Sequence, residues 1–92
     1  MLIHADIIFI KNSAEDGFAF ACMKAAYFFG ITGRMDYNHQ VKIEAEGHHD
    51  KMQEFISWIK DNVKDTEQLL FNNSLIYSGK FKEFDIFRHN NL

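Results

Sequence analysis

Five histidines, His4, His39, His48, His49 and His89, and one cysteine, Cys22, are the side chains of this sequence with the most versatile chemistry. Imidazoles ligate a transition metal when two of them share a face, for example at i and i+4 on a helix. None of the five has such a spacing, and the adjacent side chains of His48 and His49 diverge. The spacing predicts no metal site and puts the histidines on the surface, near helix and hairpin ends. Cys22 would be a nucleophile only with a base beside it and a depressed pKa. It falls between Phe18 and Ala25 on the apolar face of a predicted helix, which predicts a buried thiol packed as a small hydrophobe. The polar loop Lys11-Asn12-Ser13-Ala14-Glu15-Asp16-Gly17 leads into that helix, with Glu15 and Asp16 where a helix N-terminus favours negative charge.

The elements that must position these residues follow from periodicity. Ile3 to Ile10 read as a strand, and the continuous run Ile7-Ile8-Phe9-Ile10 predicts a central one. Phe18 to Phe29 read as a helix with Phe18, Cys22, Ala25 and Phe29 on one face, small Ala21, Ala25 and Ala26 for close packing, and Gly30 as a left-handed C-cap. Val41, Ile43 and Ala45 alternate with Lys42, Glu44 and Glu46, as in a half-buried strand. A turn at Asn38-His39-Gln40 sets Tyr37 opposite Val41 and Met35 opposite Ile43, joining one apolar face, and Gly47 ends the hairpin. A second helix, from about Asp50 to Lys60, has Met52, Phe55, Ile56 and Ile59 on one face, with Trp58 close to it. Leu69 to Tyr77 read as a strand with a bulge near Asn72-Asn73, Ser78-Gly79 as a turn, and Phe84 to Phe87 as a short last strand. This order predicts an α+β fold: a ferredoxin-like β-α-β-β-α-β sandwich, with an antiparallel sheet and both helices on one face.

Three stretches carry a family resemblance along nearly the whole chain. Gly30-Ile31-Thr32-Gly33, then Val41 to Gly47 followed by Phe55, Ile56 and Trp58, and finally Phe81-Lys82-Glu83-Phe84-Asp85-Ile86 resemble, in order and spacing, the G-[LI]-x-G, V-x-[VI]-x-A-x-G with F-x-x-W, and F-x-x-F-x-[IV] segments of acylphosphatases. The resemblance implies a phosphate loop at Lys11 to Ala19, between the first strand and the first helix. In the family this loop reads G-x-V-Q-G-V-x-F-R, and its arginine and backbone N–H groups hold the phosphoryl group. An asparagine on the next strand positions the attacking water, with no metal or covalent intermediate. Aligned without gaps, Phe18 matches the loop phenylalanine and Gly17 the variable position before it. Glu15 and Asp16 replace a glycine and a valine, and Ala19 stands where the arginine belongs. Ser13 and Ala14 complete the remnant, and Tyr37 or Asn38 falls near the asparagine position. Removing one transition-state donor typically costs about 100- to 1000-fold. Two carboxylates in the loop further oppose an anion. Lys11, Lys24 or Arg34 could supply the missing charge only by a rearrangement.

Composition bounds the alternatives. The 92 residues make one domain, with 47% apolar residues and ten phenylalanines, too apolar for a disordered chain. A net charge of -3 and a candidate central strand, Val41 to Glu46, with two acids and no aromatic argue against a nucleic-acid partner. One thiol forms no internal disulfide, and the apolar run at Ile7 is too short to span a bilayer, so a cytoplasmic location without membrane association is expected. Phe20, Tyr27 and Phe28 lie off the core stripe of the first helix, and Phe20 and Phe28 are the candidate interface. The sequence therefore predicts an acylphosphatase-like domain that has lost hydrolysis and binds a protein partner or a second copy, with no cofactor. The alternative is an active acylphosphatase with a rearranged site.

Overall fold

A computed structural model describes residues 1–10, 17–37, 40–62, 69–74 and 77–88. Strand β1 (Leu2–Ile10) is followed by helix α1 (Phe18–Phe28), the strands β2 (Thr32–Tyr37) and β3 (Gln40–His48), helix α2 (His49–Asn62), and the strands β4 (Leu69–Ser74) and β5 (Phe84–Arg88). The five strands form one sheet in the order β4-β1-β3-β2-β5. Pairings β1–β3, β1–β4 and β2–β3 are antiparallel, as the ferredoxin-like order requires. The β2–β5 pair is parallel, so the sheet as a whole is mixed rather than antiparallel. The extra strand reaches the β2 edge from β4 at the opposite edge, and it arrives running in the β2 direction.

Period-two alternation sorts the side chains onto two faces. Ile3, Ala5, Ile7 and Phe9 of β1 stand opposite Gly47, Ala45, Ile43 and Val41 of β3, and all four β1 side chains are buried beneath the helices. From α1, Phe18, Cys22, Ala25 and Ala26 enter this core, whereas Ala21 is exposed. From α2 come Met52, Phe55, Ile56 and Ile59. The Phe18 ring meets Phe9 edge-on at 5.6 Å between centroids and stacks on half-buried Trp58 at 5.9 Å, tying β1, α1 and α2 together. The expected hairpin register holds, with Tyr37 opposite Val41 and Met35 opposite Ile43. Gly30 adopts φ +69, as a left-handed C-cap should.

Two expectations for β4 differ. The ladder from His4–Ser74 to Phe9–Leu69 is continuous, so there is no bulge at Asn72-Asn73. The asparagines interrupt the apolar pattern of the strand and leave its hydrogen bonding intact. The strand also ends before Tyr77, because residues 77–80 are turned away: Gly79 sits at φ +69, and Lys80 N–H donates to Ser78 Oγ at 3.3 Å.

Gly33 is the tightest backbone approach in the sheet. Its φ of +151 is sparsely allowed for other residues, and a Cβ there would run into the carbonyl oxygen of Glu44 across the β2–β3 pair. Gly33 N–H also donates to Glu83 at 3.0 Å, opening the β2–β5 pairing. A Gly33→Ala variant should lose about 2–5 kcal/mol from backbone strain and overpacking together. Urea unfolding measures this, and an unchanged midpoint would contradict it.

Candidate functional site

The N-terminus of α1 is where the resemblance puts a phosphate site. Gly17 caps the helix in the left-handed region, at φ +74. Phe18, at the loop phenylalanine position, is buried. Ala19, at the arginine position, is only 1% exposed, and its methyl belongs to the core beneath the helices. Ser13, Ala14, Glu15 and Asp16 lie outside the described residues, as do Asn38 and Lys11. The Tyr37 backbone closes β2 against Val41. The other two candidate cations are engaged elsewhere. Lys24 Nζ sits 5.4 Å from the Phe20 ring centroid on the outer face of α1. Arg34 Nη2 donates to Asp36 Oδ1 at 2.9 Å while its guanidinium lies 4.4 Å over the Phe87 ring. Burial raises the Cys22 thiol pKa, which agrees with a packing role.

The polar chemistry of the described residues gathers on the sheet face away from the helices. His4 and Asp6 share that face of β1, and Glu46 stands directly opposite His4 on β3. Glu46 is 1% exposed. A carboxylate this buried needs a full set of donors. It has them: Oε2 accepts from His4 Nδ1 at 2.8 Å, Ser78 Oγ at 2.8 Å and Ser78 N–H at 3.0 Å, and Oε1 accepts from Gly79 N–H at 3.0 Å. The second imidazole nitrogen, His4 Nε2, lies 2.9 Å from Asp6 Oδ1. Both ring nitrogens thus face carboxylate oxygens, an arrangement that favours the protonated ring, which can donate from both sides.

The electrostatics agree with the geometry. Burial alone would lower the His4 pKa, but its hydrogen bonds to Glu46 and Asp6, and their charges, outweigh burial and raise it. Burial alone would raise the Glu46 pKa, but the Ser78 and Gly79 amides, the Ser78 hydroxyl and His4 lower it on balance. The expectation that His4 is a surface histidine is therefore corrected: its side chain is 14% exposed and bound on both nitrogens. His48 and His49 are exposed as expected, and His39 and His89 lie outside the described residues. The cluster is legible only after β1 is set antiparallel beside β3, because His4 and Glu46 are far apart in the chain.

A second concentration lies on the outer face of α1. Phe20, Lys24, Tyr27 and Phe28 fall at i, i+4, i+7 and i+8, with Phe20 57%, Tyr27 78% and Phe28 82% exposed. Phe28 meets its neighbour Phe29 edge-on, at 5.1 Å between ring centroids. Tyr27 also borders a shallow cavity of about 220 Å³ against Lys82 and Phe84 at the start of β5.

The ion network gives stability a defined pH window. A His4 pKa raised above its ordinary 6.5 contributes stability that is complete below 6.5 and is lost as pH rises through the folded value. A Glu46 pKa lowered below its ordinary 4.5 contributes stability that is complete above 4.5 and is lost as pH falls through the folded value. The contribution is complete between these two values. Unfolding free energy should decline above this window, and His4→Gln should flatten that decline. An equal slope in both proteins would contradict the assignment. Glu46→Ala, which strands a half-buried imidazole and two amides, should cost about 3–5 kcal/mol.

The sequence matches no known family model and no curated protein. Its likeness lies in solved structures. An acylphosphatase from Bacillus subtilis superposes with a TM-score of 0.80 at 22% identity, covering 94% of this chain and 98% of that one. Full-length HypF in its phosphate- and nucleotide-bound form matches at 0.78 and 18% identity, over 96% of this chain but only 12% of HypF. BlsA in its photo-activated state matches at 0.77 and 14% identity, over 98% of this chain and 71% of BlsA. No helix of the described residues is long and apolar enough to cross a membrane. With its strand order, helix placement and the three motif segments, the chain has an acylphosphatase-like fold.

Proposed function

We propose that this domain keeps the acylphosphatase-like fold without acyl-phosphate hydrolysis and works as a binding module, using the outer face of α1 to hold a protein partner or a second copy of itself. Helix α1 carries the reading on both its sides. Inward, the position that the resemblance assigns to the phosphate-binding arginine is a core methyl, Ala19. Outward, three aromatic rings stand in water along two turns. Phosphoryl transfer of this kind depends on positioning and charge neutralisation, and a methyl supplies neither charge nor donor. Exposed aromatics of this size lose solvent contact when a partner covers them, and such patches mark interaction sites.

The fold itself is neutral on activity, since function belongs to the site a fold carries. BlsA, solved in photo-activated and ground states, has the same architecture at 98% coverage of this chain. Ala19, Glu15 and Asp16 are the residues that set this chain apart from an acylphosphatase's loop.

Hydrolysis, stability and self-association test the reading. A generic acyl phosphate should show no hydrolysis above its uncatalysed rate, whereas turnover in the usual enzymatic range of about 1–1000 per second would contradict the proposal. Ala19→Arg should restore little and should destabilise by about 1–3 kcal/mol, because the side chain must enter a packed core. Phe28→Glu, at a position 82% exposed, should leave stability within about 0.5 kcal/mol while weakening self-association measured by light scattering. A concentration-independent monomer in wild type and variant alike would remove the second copy as the partner.

A further inference from the structure

We propose that His4 Nε2, Asp6 and Glu44 form a binding site for a borderline divalent cation of the Zn²⁺ class on the open face of the sheet. One imidazole nitrogen and two carboxylate oxygens lie here within 4.8 Å of one another. Ligands held about 2.0–2.2 Å from a tetrahedral Zn²⁺ stand about 3.4 Å apart. His4 Nε2 and Asp6 Oδ1 are already 2.9 Å apart. Glu44 is directly opposite Asp6 in the β1–β3 register and only partly buried, so a rotamer change closes the remaining gap.

The supporting architecture favours a site over a chance cluster. The ligands sit on β1 and β3, both of which have a strand on each side, so their backbones are fixed by ladders in both directions. His4 Nδ1–H donates to Glu46, a carboxylate that is itself held by Ser78 and Gly79. This is the carboxylate–histidine support that fixes ring orientation and tautomer in metal sites, leaving Nε2 to bind the ion. On binding, the ion takes the place of the proton shared between Nε2 and Asp6, and that proton leaves to solvent. Arg34, opposite Glu44 in the β2–β3 register, turns its guanidinium to Asp36 and Phe87. All three ligands are partly solvent-accessible, so water can complete the coordination. One imidazole with two carboxylates suits a borderline ion better than Mg²⁺, which prefers oxygen and retains its waters.

The test is a titration of the chelator-treated full chain with Zn²⁺, followed by calorimetry and by imidazole NMR. The expected result is a site of one equivalent at which the His4 ring signals move, with Mg²⁺ producing no such shift. His4→Gln and Glu44→Gln should each weaken binding at least tenfold, and Glu46→Gln should weaken it about 10- to 100-fold through loss of ring support. Glu44→Gln is the decisive variant, because Glu44 lies outside the Glu46 network and its loss leaves that network intact. A double His48→Gln, His49→Gln variant should bind as wild type does. The proposal is overturned if the His4 signals stay fixed at tenfold excess Zn²⁺, if Glu44→Gln binds with unchanged affinity, or if the double variant abolishes binding.

Discussion

The buried carboxylate of Glu46 is the constraint around which the open side of this domain is organised. An ionised carboxylate out of contact with water is tolerated only when its oxygens are fully paired. Glu46 meets that requirement with groups from two distant parts of the chain, His4 on β1 and the Ser78–Gly79 segment after β4. Those contacts do more than satisfy one residue. A slip of one residue between β1 and β3 would turn His4 to the helix face and leave Glu46 unpaired, so the pair specifies the register at the centre of the sheet. The chain between β4 and β5 must cross from one edge of the sheet to the other, a span of four strand spacings or about 19 Å. Glu46, on the middle strand, anchors that crossing at Ser78 and Gly79.

The two faces of the sheet divide the work. Among the described residues the buried helix face is apolar, and the contacts of Phe9 on Phe18 and Phe18 on Trp58 bind the first turn of α1 into the core. That packing takes Ala19 with it. A helix start that is pinned by Phe18 and Ala19 has its inner surface committed to stability, so little of it is left to approach a ligand. The open face carries His4, Asp6, Arg34, Asp36, Glu44 and Glu46, with His4 bound to both Glu46 and Asp6 and Arg34 bound to Asp36. An acylphosphatase-like scaffold therefore concentrates its described polar chemistry on the side of the sheet opposite the helices.

Much of the fold was legible in the sequence because its signals are local. The 3.6-residue stripe of Phe18, Cys22 and Ala25, the period-two run Val41 to Ala45, and the glycine after Phe29 each depend on a few consecutive residues. What escaped notice depended on residues far apart in the chain. Glu46 reads as an exposed member of an alternating strand until His4 is placed opposite it, and only the β1–β3 pairing does that. The two asparagines of β4 read as a bulge because they break the apolar alternation, yet backbone hydrogen bonding does not depend on side-chain polarity. The parallel β5 was hidden because its direction is set by the path across the sheet, not by any residue within Phe84 to Arg88. Phe20 and Phe28 were visible as off-stripe residues, and their exposure followed from the helix facing inward through Cys22 and Ala26.

Whether the start of α1 can still hold an anion separates a binding module from an acylphosphatase. Its amides point out of a helix N-terminus, which by itself attracts negative charge. The proposed loss of hydrolysis nevertheless requires that end of the helix to hold no phosphate, and Ala19 there is buried and brings no cation. The most direct measurement is a titration of the labelled protein with inorganic phosphate, following the amide signals of Gly17, Phe18 and Ala19 by NMR. The account predicts that these three signals stay in place up to millimolar phosphate, and a saturable shift confined to them would contradict it.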